Sequence, residues 1–256
     1  MSIVRANGIA LHVEEVPPAG AHRGTVVLLH GMTSDSMASW FLTLAHPLAE
    51  SGMRVLLYDL RGHGHSERPA TGYRLDDFVG DLEALLAHWE VGGPVHLLGN
   101  SFGGTVAFAY AARHPAAVAG IATIESAPPT GEWFARMARR LARAAETLAD
   151  AEAVANSRPL VARRMRAASA LLAETSIGEE LPASTLPGPA ALAAIDCPVL
   201  CLYGGESAVK ELATATERLL PQSKHVVVPG QKHTLLIKAP DQVRAEVLPW
   251  LATHVS

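Results

Sequence analysis

Six short apolar runs separated by segments of helical period constrain this 256-residue chain more than any other feature of its sequence. The runs occupy 26–29, 55–58, 95–98, 118–124, 199–203 and 225–228, and each stops at a turn-forming or polar residue: His30-Gly31, Asp59, Gly99, Glu125, Gly204-Gly205 and Pro229-Gly230. Around them, 40–50, 75–89, 101–113, 209–220 and 242–254 carry apolar residues at three- and four-residue spacing, the period of a helix with one buried face. Strands that are apolar throughout are buried on both faces. The pattern therefore predicts an α/β fold: a mostly parallel, twisted sheet with helices on both sides. Ahead of it, 3–5 and 9–16 flank Asn7-Gly8, a strong signal for a two-residue hairpin turn.

The alternation lapses once, from 126 to 196, where Ala-, Leu- and Arg-rich helical pattern leads into the Pro-rich stretch 182–189. A helical insertion after one strand, followed by resumption of the sheet, predicts a cap over the strand ends, where ligands of open parallel sheets bind. The expected organisation is a core of 1–125 and 197–256 with a cap of 126–196. At 49% hydrophobic and 18% charged, with a net charge of -4, the chain has the composition of an ordinary globular protein and no basic footprint for nucleic acid. No apolar stretch reaches the roughly 20 residues of a membrane helix. Residues 1–10 lack the apolar centre of a secretory signal, so the expectation is a cytoplasmic protein with no membrane partner. Cys197 and Cys201 lie four apart on one predicted strand; their Cα atoms would be about 13 Å apart, too far for a disulfide.

Between the run 95–98 and the helix that follows, Gly99-Asn100-Ser101-Phe102-Gly103 fits G-x-S-x-G. A strand-to-helix turn this tight needs small flanking residues. It lifts the serine hydroxyl clear of the sheet and aims it at a helix N-terminus, and Gly104 adds room. On these residues the chain resembles an α/β-hydrolase over nearly its whole length. His30-Gly31-Met32 resembles the family's oxyanion loop, and the stretch from Asp59 to Ser66 resembles its usual turn after the next strand. The resemblance implies an α/β-hydrolase fold with an inserted helical cap, Ser101 as nucleophile, and the backbone NH groups of Met32 and Phe102 as oxyanion hole. It also implies Gly31 beside the substrate and a structural role for Asp59. His63 and His65 spell H-x-H, as some zinc sites do, but no ligand cluster accompanies them; no metal and no cofactor are expected.

A serine nucleophile needs a base, and His233, in the loop Pro229-Gly230-Gln231-Lys232-His233 after the last run, resembles the family's histidine loop. The other histidines read as packing or solvated groups: His96 and His225 within strands, His88 and His114 on helices, His12, His22, His46 and His254 near surfaces or termini. The family's usual acid is missing. Gly204-Gly205-Glu206-Ser207 places Ser207 where a G-x-x-D pattern has aspartate. Two carboxylates could replace it. Glu125, at the end of the strand beside the nucleophile strand, is the preferred one: in haloalkane dehalogenases and zearalenone-type lactonases the acid sits after this strand, and 121–129 resembles the latter. Glu206, one residue early, is the alternative.

Serine rather than aspartate at the elbow argues against dehalogenase or epoxide hydrolase chemistry, since serine would be left as a dead-end ether. Acyl transfer to water remains, with a small-molecule ester, lactone or thioester as substrate. A carbon–carbon bond hydrolase, or a receptor that keeps the triad and turns over slowly, stays open, as does a homodimer. On the cap, Trp133 and Phe134 are expected beside the substrate. Arg136, Arg139, Arg140 and Arg143 share a face opposite Phe134, Met137, Leu141 and Leu148. Those arginines read either as a solvated face, partly offset by Glu146 and Glu152, or as a reader of an acidic group on a substrate or carrier.

Overall fold

The computed structural model describes residues 2–147 and 159–255. Eight strands, β1 (Ser2–Ala6), β2 (Ile9–Val16), β3 (Gly24–Leu29), β4 (Met53–Tyr58), β5 (Val95–Asn100), β6 (Val118–Ile124), β7 (Val199–Gly204) and β8 (Lys224–Val228), form one sheet in the order β1-β2-β4-β3-β5-β6-β7-β8. β1 pairs antiparallel with β2 and β2 with β4, while every later pairing is parallel. Asn7 and Gly8 at the first hairpin both adopt positive φ, as a type I′ turn requires.

Within the parallel strands successive side chains feed two different cores. In β3, Val27 and Leu29 enter one apolar cluster while Val26 and Leu28 enter the other; in β7, Cys201 and Tyr203 oppose Leu200 and Leu202. This two-sided burial is why the runs contain no polar alternation. Both cysteines are free and buried, and burial pushes their thiols up to about 11, which leaves them unreactive.

Helices α1 (Leu75–His88), α2 (Phe102–Arg113), α3 (Gly131–Thr147), α4 (Pro159–Glu174) and α5 (Pro240–Ala252) are the long ones. Two expected helices are less regular than their periodicity. The segment 40–50 is α-helical at Ala38–Trp40 and His46–Glu50 with a π-helical turn, Phe41–Ala45, between. Pro47 has no N–H for the α-helical bond to Thr43, and the Thr43 hydroxyl turns back to the Ser39 carbonyl at 2.6 Å. The segment 209–220 begins as a 3₁₀ turn, Ala208–Leu212, capped by Ser207, before the helix Ala213–Leu219.

Within 126–196 the described residues form helices and connections but no strand. α3 buries Trp133, Phe134, Met137 and Leu141 against the core. Leu148 and Glu152 lie outside the described residues, as does the side chain of Glu146. Among the described residues no helix is long and apolar enough to cross a membrane.

Candidate active site

The loop after β3, the end of β5 with the start of α2, the helix α3 and the loop after β8 line one cavity of about 300 Å³. At its floor the chain turns from β5 into α2 at Ser101, which is held at φ 51° and ψ −117°. That conformation is rarely populated by a residue with a side chain. Its neighbours make it feasible: a Cβ on Gly99 would overlap Gly104, and one on Gly103 would overlap the Leu29 backbone. A Cβ on Gly104 would stand 2.6 Å from the Ser126 hydroxyl. The small-residue requirement read from the motif is thus a requirement for close backbone packing.

Ser101 Oγ lies 3.0 Å from His233 Nε2, and His233 Nδ1 lies 3.1 Å from Glu125 Oε2. Glu125 ends β6 in a left-handed turn, φ 56°, and its carboxylate has no solvent exposure. The Gly204 backbone N–H donates to its Oε1 and the Ser207 hydroxyl to its Oε2. Glu206 stands apart: it is exposed and its nearest cation is Lys232 at 3.9 Å. So the carboxylate read from the strand end meets the histidine, and the one from the loop faces solvent.

Gly31, Met32 and Phe102 line the cavity. Two side chains to which the sequence reading gave no such task hold the loop after β3 in place. Asp35 Oδ2 accepts from Gly31 N at 2.8 Å and from Asn100 Nδ2 at 3.2 Å, joining the loop after β3 to the serine turn. His63 Nε2 accepts from Thr33 N at 2.9 Å while its Nδ1 faces the Arg61 carbonyl at 2.8 Å. Both ring nitrogens of His63 are thus engaged within the protein, and the His65 backbone N–H donates to Asp59. Asp59 also receives Met37 N and His12 Nδ1, so His12 is buried in this turn rather than near a surface.

Because His63 must accept through Nε2, its neutral form is the structural one, and burial, with His30 beside it, lowers it from 6.5 to about 4. Burial lowers His96 to about 4 as well. In both cases the unfolded chain takes up the proton before the native one does. Stability is thus complete above about pH 6.5 and declines as pH falls towards 4, by about 1.4 kcal/mol per pH unit for each histidine. Urea unfolding followed across that window should show the decline, and His63→Phe should remove about half of it. A free energy of unfolding independent of pH there would contradict this.

The outer face of the cavity is built by Met137, Arg140, Leu141 and Ala144 of α3, with Leu236 and Ile237 opposite. Trp133 and Phe134 do not line it, contrary to the expectation from sequence. Both are turned into the core, and Trp133 Nε1 donates to Thr105 Oγ1 of α2 at 2.6 Å, anchoring α3. The arginine face is also divided. Arg136 binds Glu132, Glu211 and the Ala208 carbonyl, whereas Arg140, though exposed, lines the cavity, its Nη1 3.2 Å from His233 Nε2. Desolvation lowers the Arg140 guanidinium, and the Glu125 charge acts the other way.

A strand–serine–helix elbow, a loop after the last strand that carries a histidine, and helices between β6 and β7 are features of the α/β-hydrolase fold. A family model for the α/β hydrolase fold matches residues 24–174, over half of the chain, and the chain belongs to that family. It is 28% identical over 92% of its length to the dihydrolipoyllysine-residue acetyltransferase component of an acetoin cleaving system from Pseudomonas putida, spanning 65% of that protein. It is 27% identical to a monoacylglycerol lipase from Mycolicibacterium smegmatis over 99% of this chain and 97% of the lipase. The first curated relatives are matched over less than two thirds of their own length. Among solved structures, a malate-bound thermophilic esterase from Thermogutta terrifontis superposes with a TM-score of 0.76 and 27% identity over all of both chains.

Proposed function

We propose that this protein is a serine hydrolase that cleaves a carboxylic ester or lactone through an acyl-enzyme. The observation that carries the reading is the continuous chain Ser101 Oγ, His233, Glu125, with spacings of 3.0 and 3.1 Å. The esterase and lipase likenesses support it.

In this reading Glu125 accepts the Nδ1 proton of His233 and so presents the Nε2 lone pair to Ser101. The Ser101 oxygen attacks the substrate carbonyl as its proton passes to Nε2. The negative charge that develops on the carbonyl oxygen is met by the N–H groups of Met32 and Phe102, each worth about 3 kcal/mol. The imidazolium returns its proton to the departing alkoxide, and water repeats the sequence on the acyl-enzyme. The segment 126–196 acts as the cap that selects the substrate, through α3.

The test is covalent. A fluorophosphonate should add one phosphonyl group to the protein, located on Ser101 by peptide mass spectrometry, and should block p-nitrophenyl acetate hydrolysis in proportion. Modification elsewhere, or full turnover after labelling, would refute the reading. Tight ligand binding with negligible turnover would instead favour the receptor alternative.

A further inference from the structure

Among the described residues lining the cavity, Arg140 is the single arginine or lysine, and ester chemistry by itself gives no reason for its position. Its Nη1 and Ser101 Oγ both approach His233 Nε2, at 3.2 and 3.0 Å. With the Nδ1 proton directed to Glu125, Nε2 offers one lone pair, so the two donors compete for it. A guanidinium left there would also repel the imidazolium that must form as serine gives up its proton. Turnover therefore requires that Arg140 withdraw or that its charge be met.

Nothing in the cavity wall meets it. Among the described residues no carboxylate lies within ion-pair distance of Arg140, unlike Arg136 one turn earlier, which has two. Asp35, the carboxylate on the cavity wall, is engaged by the backbone N–H groups of Gly31 and Ser36 and by Asn100. Met137, Leu141, Leu236 and Ile237 line the cavity with apolar surface, which strengthens any charge-assisted contact made among them. Resting on the hydrolase reading above, we propose that Arg140 is the receptor for a carboxylate carried by the substrate. It rests on His233 when the cavity is empty and yields Nε2 to Ser101 when that carboxylate engages it. A planar guanidinium takes a carboxylate in a two-point contact. Since Nη1 and Oγ flank the same nitrogen, the carboxylate and the attacked carbonyl belong to one small substrate. The substrate class is a half-ester of a short dicarboxylic acid.

Methyl hydrogen succinate and methyl 4-methylpentanoate have the same shape, an isopropyl group replacing the carboxylate in the second. The parent enzyme should prefer the anion in kcat/KM, and Arg140→Gln should lower the anion-to-neutral ratio about 10- to 100-fold, with Arg140→Lys between. Equal loss on both esters, or no preference in the parent enzyme, would overturn the proposal while leaving the hydrolase reading intact. Succinate binding by calorimetry gives a readout without turnover: Arg140→Gln should weaken it about tenfold or more, and unchanged binding would overturn the proposal. If succinate binding responds but no ester is cleaved and no fluorophosphonate adds, the hydrolase reading fails and the subsite stands.

Discussion

Ser101→Ala should lower kcat on a p-nitrophenyl ester by on the order of 10⁴ to 10⁶, and His233→Ala by a similar factor. The double variant should be no slower than either single one. In the proposed mechanism the two side chains act as one device: the histidine has no proton to accept without the hydroxyl 3.0 Å away, and the hydroxyl is a poor nucleophile without the histidine. Multiplying losses, or a tenth of the activity surviving in Ser101→Ala, would point to another nucleophile. The backbone adds a second readout. Ser101 is held at φ 51°, a conformation that alanine does not ease but glycine does. Ser101→Gly should therefore raise stability by about 1 kcal/mol while abolishing turnover, a separation expected where strain serves chemistry.

Much of this site is legible in the sequence because its requirements are local. Gly99, Gly103 and Gly104 all lie within three residues of Ser101, and each is hemmed in by neighbouring atoms, so the elbow can be read from one short motif and its flanking periodicity. The strands are equally legible, since burial on both faces leaves no polar alternation in the runs. What escapes such a reading is what depends on side-chain direction across distant segments. Arg136 and Arg140 lie four apart on one helix, and periodicity treats them alike. Only the crossing of α3 over the cavity sends one to Glu211 and the other to His233. Trp133 and Phe134 elude it for the same reason: helical spacing distinguishes a buried face but not whether it rests on core or on ligand. Asp35 and His63 brace the loop after β3 over 65 and 30 residues of sequence, and no local motif announces either.

Glu125→Gln should cost turnover about 10³ to 10⁴ while Glu206→Gln leaves it near parental. The Gly204 N–H needs an acceptor at the Oε1 position, so the substituted side chain would be held there by its amide oxygen, leaving its NH₂ to face Ser207 and His233. An N–H donor facing Nδ1 drives the imidazole proton onto Nε2, the atom that must accept from Ser101. Glutamine is nearly isosteric with glutamate, so the loss should appear in kcat with the fold intact. Glu206, exposed and 3.9 Å from Lys232, is a surface pair of the kind worth at most about 1 kcal/mol. Ser207 permits a sharper version. It is buried, and its hydroxyl touches the carboxylate oxygen nearest His233. In a Glu125→Ala background, Ser207→Asp should place a carboxylate within reach of Nδ1 and recover about 10- to 100-fold of the lost turnover, whereas Ser207→Asp alone, setting two carboxylates together, should destabilise the protein. Recovery would show that the acid can reach the histidine from either strand end. A Glu206→Gln variant as slow as Glu125→Gln would transfer the role to the loop.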